Sequence, residues 1–153
     1  MNKQSMIWFG RYEGWLKWLA RGVRDGDYEC MKKAAKLFDM MLPDGCVVVP
    51  MPSHTGEALQ MLAVANAMPG NRYVSNVLAC DSHESCYTQK KDGFTPAPFR
   101  MWCKPWILPD NHGEVYVIDN VICTGTTAGA AIRAFSALGD KAKVCAIAYS
   151  PWR

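Results

Sequence analysis

Apolar positions recur at helical spacing through the first third of the chain. Trp15, Leu16, Trp18 and Leu19 share one stripe, and Met31, Ala34, Ala35, Leu37, Phe38 and Met41 form a second. Residues 1 to about 44 therefore read as a helical segment, divided at Gly26-Asp27 and ended by the turn residues Pro43-Asp44-Gly45. The pattern then changes. Gly45 to Pro50 is a β-branched run without polar alternation, as in a strand covered on both faces. A loop from Met51 to Gly56 leads to an amphipathic helix over Glu57 to Met68, and Pro69-Gly70-Asn71 marks a turn. Arg72 to Cys80 alternates well enough to be a strand. Asp81 to Pro98 is polar and broken by Gly93, Pro96 and Pro98, and reads as one long loop. Phe99 to Leu108 is aromatic-rich, interrupted by Pro105, and suits a short strand pair. Val115 to Ile118 predicts a buried strand, Ala128 to Leu138 a helix, and Lys143 to Tyr149 a last strand after the stop at Leu138-Gly139-Asp140.

Strands alternating with helices predict an α/β protein with a parallel sheet and right-handed crossovers. In such sheets ligands sit at the carboxyl ends of strands. Two of those ends carry suitable chemistry. After Val115–Ile118 come Asp119 and Asn120, then Cys123-Thr124-Gly125-Thr126-Thr127 at a helix start. The N–H groups of a first helical turn lack intrahelical partners, and the helix dipole favours negative charge there. Threonine hydroxyls add donors, and Gly125 lets backbone approach a phosphate closely. After the first β-branched strand, Ser53, His54, Thr55 and Gly56 make a second candidate anion-binding turn. The plain alternative for both turns is a well-capped helix, because Ser, Thr and Gly are favoured at helix starts anyway.

The ordered string VYVIDNVICTGTT, from Val115 to Thr127, resembles the signature of the type I phosphoribosyltransferases: a hydrophobic strand, two acidic residues, then a Thr-Gly-x-Thr-type turn. All thirteen positions take part, with Asn120 where the second acid is usual. VVVPMPSHTGEALQMLA likewise looks like the first strand and pyrophosphate loop of that family. The resemblance implies a three-layer parallel sheet with a hood loop, spanning residues 1–153 as a single domain. It implies phosphoribosyl pyrophosphate (PRPP) as ligand, with Mg²⁺ carried largely by PRPP itself, and transfer of ribose 5-phosphate to a nitrogen acceptor. In that scheme Cys123 to Thr127 cradle the 5-phosphate. Asp119, with Asn120, holds the ribose hydroxyls and touches the metal indirectly, while Ser53 to Gly56 receive the pyrophosphate. Lys90 and Lys91 are the cations of the hood loop, with Arg100 behind them. Cys123 stands where 6-oxopurine enzymes carry a carboxylate, which disfavours hypoxanthine or guanine as acceptor. The rival is a non-catalytic regulator on the same fold, binding PRPP or a nucleoside monophosphate.

Other residues have competing readings. Cys80, His83 and Cys86, with Cys103 as a fourth ligand, could surround zinc, although the spacing matches no standard paired-cysteine pattern. Trp8, Trp15 and Trp18 suit helix packing or a subunit surface, and a homodimer is compatible with them. Trp102, Trp106 and Trp152 flank strand ends, where packing competes with stacking on a nucleobase.

Composition narrows the class. At 153 residues, half of them hydrophobic and a fifth charged, the chain can bury one substantial core. Its net charge of +3, without basic clusters beyond lysine pairs, gives no reason to expect a nucleic-acid partner and suits a small anionic one. No apolar stretch approaches the roughly 20 residues a membrane helix needs. The opening MNKQSMIWFGRYEGW lacks the features of a secretory signal, and the seven cysteines read as free thiols of a cytoplasmic protein.

Overall fold

The computed structural model describes residues 5–93, 99–104, 108 and 110–151, without the side chains of Cys86, Tyr87 and Lys90. Its elements are β1 (Met6–Arg11), α1 (Gly14–Arg24), α2 (Tyr28–Met41), β2 (Val47–Pro50), α3 (Leu59–Ala67), β3 (Tyr73–Val74), β4 (Leu78–Cys80), α4 (Cys86–Lys91), β5 (Met101–Cys103), β6 (Val115–Ile122), α5 (Thr126–Ser136) and β7 (Ala142–Tyr149). Five strands form a parallel sheet in the order β1-β7-β6-β2-β3, and β4 pairs antiparallel with β5. The α/β class with a parallel sheet is as expected.

Alternation along the central strands sends side chains to two cores. Val48, Tyr116, Ile118, Cys145 and Ile147 meet α1, α2 and α3 on one face. Val47, Val49, Val115, Val117, Val144 and Ala146 meet α5 and the β4–β5 hairpin on the other. Both faces are thus dry, which explains the unbroken β-branched runs. Phe38 and Phe135 anchor the two cores, each without solvent exposure. Truncating either to Ala would cost about 3–5 kcal/mol.

Local chemistry secures the helix ends. Asp27 caps α2 by accepting the Cys30 N–H at 2.9 Å, which holds its carboxyl below the usual range. At the other end the Arg72 guanidinium pairs with the Asp39 carboxylate and donates to the carbonyls of Asp39, Leu42 and Pro69. One side chain therefore satisfies the last carbonyls of α2 and ties that helix to the turn before β3.

Three expectations are corrected. The N-terminal segment is not wholly helical: Met6–Arg11 is an edge strand, with Trp8 opposite Ala146 and stacked on Tyr149 at 4.6 Å. Its aromatic and β-branched residues suit a pleated surface, and the distant β7 supplies the partner. Arg72–Cys80 is two strands rather than one. Ser75 N–H donates to the Val48 carbonyl, and beyond it the chain leaves β2 and pairs with β5 instead. The segment read as one long loop contains helix α4, whose neighbours 94–98 lie outside the described residues. Among the described residues, no helix is long and apolar enough to cross a membrane.

Candidate functional site

The two central strands β2 and β6 run side by side, Val47 opposite Val115 through Pro50 opposite Ile118. Their exits diverge. From β2 the chain passes through α3, on one face, to β3 at one edge; from β6 it passes through α5, on the other face, to β7. The carboxyl ends of β2 and β6 therefore bound a crevice at a topological switch point, where open α/β sheets take their ligands. Met51 N–H still reaches the Ile118 carbonyl at 3.0 Å, and beyond that point β6 keeps β7 as its partner but no longer pairs with β2.

Asp119 and Asn120 occupy this half-paired stretch. One Asp119 oxygen accepts the Asn120 N–H at 2.8 Å, and the side-chain amide oxygen (Oδ1) of Asn120 accepts the Val121 N–H at 2.9 Å. These contacts compete with the strand ladder, and side-chain alternation breaks here. Val121 and Ala148 pack with the α1–α3 core, whereas Ile122 and Tyr149 pack with the α5 core. The second Asp119 oxygen and the Asn120 amide nitrogen have no partner among the described residues. No cation pairs with Asp119 there either. Desolvation consequently dominates, and burial pushes its carboxyl up to about 7 against the opposing Asn120 N–H bond. A carboxylate kept at such a position, uncompensated, is characteristic of a functional site.

The β6–α5 turn is tight. Gly125 takes the left-handed conformation (φ 81°) at the N-cap of α5, a region that side chains other than Gly rarely adopt. The Thr124 hydroxyl accepts the Thr126 N–H at 3.2 Å and donates to the Thr126 hydroxyl at 2.9 Å. Thr124 is exposed, Thr126 and Thr127 half-buried, and Cys123 half-buried beside them. The helix begins at Thr126, two residues earlier than the apolar pattern predicts, so its first turn carries the threonines into the crevice end.

The β2 turn is built differently. Helix α3 starts at Leu59, so Ser53 to Gly56 do not sit at its N-terminus, contrary to expectation. The loop closes on itself instead. Ser53 N–H donates to the Glu57 carbonyl at 2.7 Å, and Gly56 N–H to the Ser53 carbonyl at 2.9 Å. The Thr55 N–H donates to the Ser53 hydroxyl, which also pairs with the Thr55 hydroxyl at 2.7 Å. Neighbouring chain braces it: His83 N–H donates to the His54 carbonyl at 2.8 Å, and the His83 ring stacks on Phe99 at 3.7 Å. Ser53, His54 and Thr55 remain exposed on its outer side.

His83 thus has a bracing role that its sequence context, suggestive of a metal ligand, did not reveal, and Phe99 carried no signal at all. The zinc arrangement is not assembled among the described residues, where no three metal-binding side chains converge. The Cys80 thiol donates to the Ser53 carbonyl at 3.5 Å, and burial pushes the Cys103 thiol up to about 11, so both are protonated. The Cys86 side chain lies outside the described residues. Lys91 is exposed at the end of α4; the Lys90 side chain also lies outside them, as do Trp106 and Trp152. Two depressions, of about 340 and 280 Å³, lie along α5 and beside the start of α3, and neither is lined by Asp119 or the Thr124–Thr127 turn. The polar groups without partners among the described residues lie instead at the switch point. The chain matches no protein-family model and no curated protein.

Proposed function

We propose that the switch-point crevice binds the ribose 5-phosphate unit of PRPP and that the protein transfers it to a nitrogen acceptor with release of pyrophosphate. The observation that carries this reading is the placement of two hydroxyl-bearing βα turns on adjacent strands, with a carboxyl between them that has one oxygen without a partner among the described residues. In this reading the first turn of α5 and the hydroxyls of Thr124, Thr126 and Thr127 take the 5-phosphate. The free oxygen of Asp119 accepts from the ribose diol, and the Asn120 amide donates to the same sugar. Ser53, His54 and Thr55 face the pyrophosphate from the β2 side. The donor set fits Mg²⁺ held by the substrate's own oxygens rather than a resident ion, since no cluster of metal-binding side chains forms among the described residues. Bond cleavage at the anomeric carbon builds positive charge on the sugar, so an ionised Asp119 would act by electrostatic stabilisation and position rather than by covalent chemistry.

A second reading, binding and regulation without turnover, is favoured by one observation. Asn120 brings no charge, and burial leaves Asp119 only partly ionised near neutral pH. Calorimetric titration with PRPP and Mg²⁺ tests the shared claim: binding should be saturable and lost in Gly125→Val. Pyrophosphate release with a panel of bases and amines separates the readings. Release with any acceptor supports transfer, and tight binding without release supports regulation. No binding of PRPP or of any nucleoside monophosphate rejects both.

A further inference from the structure

We infer that the groove between β5 and α5 is a second ligand site, taking an aromatic ring that carries a phosphate or carboxylate. The groove is an open surface depression of about 340 Å³. Its floor is formed by Ala130 and Ala134, whose small side chains leave room for a flat body against the helix, and Leu138 closes one end. Trp102 and Arg100 form the opposite wall, the guanidinium lying 4.6 Å from the indole centroid. The pair brings an aromatic ring and a cation to the rim of the groove. Arg133, exposed on α5, adds a second guanidinium.

Charge selects the occupant. Neither Arg100 nor Arg133 pairs with a carboxylate among the described residues, and the residues outside that set include no Asp or Glu side chain. Two guanidiniums without an ion-pair partner among the described residues, beside an aromatic wall and an apolar floor, match an amphiphilic anion, and Arg forks match the oxygens of a phosphate or carboxylate. A bare anion would leave the apolar floor uncovered, and a neutral ring would leave both arginines unpaired. The site is separate from the crevice: Ala130 and Ala134 lie about 6 and 12 Å along α5 from Thr126 at 1.5 Å per residue. Its occupant touches both α5 and the strand β5 on the same face.

Phenyl phosphate is a suitable probe because it lacks ribose. Its titration, followed by NMR of the Trp102 indole N–H (assigned with Trp102→Phe), should show a saturable shift. Arg100→Gln and Arg133→Gln, both at exposed side chains, should each weaken binding about tenfold or more, as expected for loss of a charge-assisted contact. Inorganic phosphate and benzyl alcohol should bind at least tenfold more weakly than phenyl phosphate. Gly125→Val, which disables the crevice, should leave the affinity unchanged. The inference is overturned by a shift that does not saturate, by unchanged affinity in both arginine variants, by inorganic phosphate binding as tightly as the probe, or by loss of binding in Gly125→Val.

Discussion

The turn after β6 and the turn after β2 lie next to each other, use the same residue types and are built on opposite principles. After β6, one left-handed glycine and a helix that begins at once leave the threonines and the helix dipole directed at the crevice. After β2, the chain folds back through Ser53, Gly56 and Glu57, and its amides mostly serve the loop itself. The first turn is organised locally, whereas the second depends on Cys80, His83 and Phe99 from a distant segment. Two turns that look equivalent as strings of Ser, Thr and Gly therefore differ in what they can offer an anion. The β6 turn supplies a helix terminus, and the β2 turn supplies outward side chains.

The strongest way to break this comparison is Gly125→Val. A β-branched residue in the left-handed region costs on the order of 1–2 kcal/mol, and its side chain would stand where the phosphate approaches. PRPP affinity should fall at least 100-fold by calorimetry while circular dichroism stays that of a folded α/β protein. Retained affinity would move the phosphate away from this turn.

Asp119→Asn comes next. PRPP affinity or turnover should fall about tenfold, yet the protein should become more stable at neutral pH. With its folded-state pKa raised from 3.8 to about 7, Asp119 favours the fold fully below about pH 4, and that contribution is lost as pH rises through 7. The variant should thus gain on the order of 4 kcal/mol at pH 8, or roughly 10 °C in Tm, and nothing at pH 4. A variant destabilised at pH 8 would identify Asp119 as a strand-capping residue. In the wild type, affinity for the ribose diol should rise between pH 6 and 8, as the acceptor form fills.

A smaller effect sharpens the β2 side. His83→Ala removes the ring stack on Phe99, worth about 1 kcal/mol, that steadies the bracing segment, while the backbone bond from residue 83 to the His54 carbonyl is kept. Limited proteolysis should then cut faster near residues 53–56, with nucleoside monophosphate affinity changed less than PRPP affinity. Equal losses for both ligands would contradict a pyrophosphate role for this loop. The smallest change expected is in ground-state binding for Lys90→Ala with Lys91→Ala. Transfer should slow more than ribose phosphate binding weakens, and hydrogen exchange around α4 should fall when PRPP and Mg²⁺ are added. Exchange that is slow and insensitive to ligand would exclude a closing lid.

Much of this arrangement was legible in the chain. Unbroken Val-rich runs marked two strands that are indeed covered on both faces, but the strand expected to end at Ile118 runs on through Asp119 and Asn120 to Ile122, paired there with β7 alone. The helices at Trp15–Leu19 and Met31–Met41 also stand, and Ala34, Ala35 and Phe38 are buried as the second stripe predicts. The first stripe is only half right: Leu19 is buried with Ala20 and Val23, whereas Trp15 and Trp18 are exposed on the outer side of α1. What escaped was nonlocal. Met6–Arg11 has no alternation to distinguish it, and becomes a strand because β7 offers an edge. Leu59 rather than Glu57 starts α3, because the Glu57 carbonyl accepts the Ser53 N–H of the folded-back loop and the first helical bond runs from the Leu62 N–H to the Ala58 carbonyl.

By itself, the sequence determined which segments could be helix or strand and which turns could carry hydroxyls and a left-handed glycine. These depend on periodicity and on the φ/ψ preferences of neighbouring residues, and both act within a few positions. Only the tertiary structure decided that β2 and β6 are neighbours whose helices leave on opposite faces. It also set the charge state of Asp119, because desolvation depends on every group packed around the carboxyl, and the chain order does not state which groups those are.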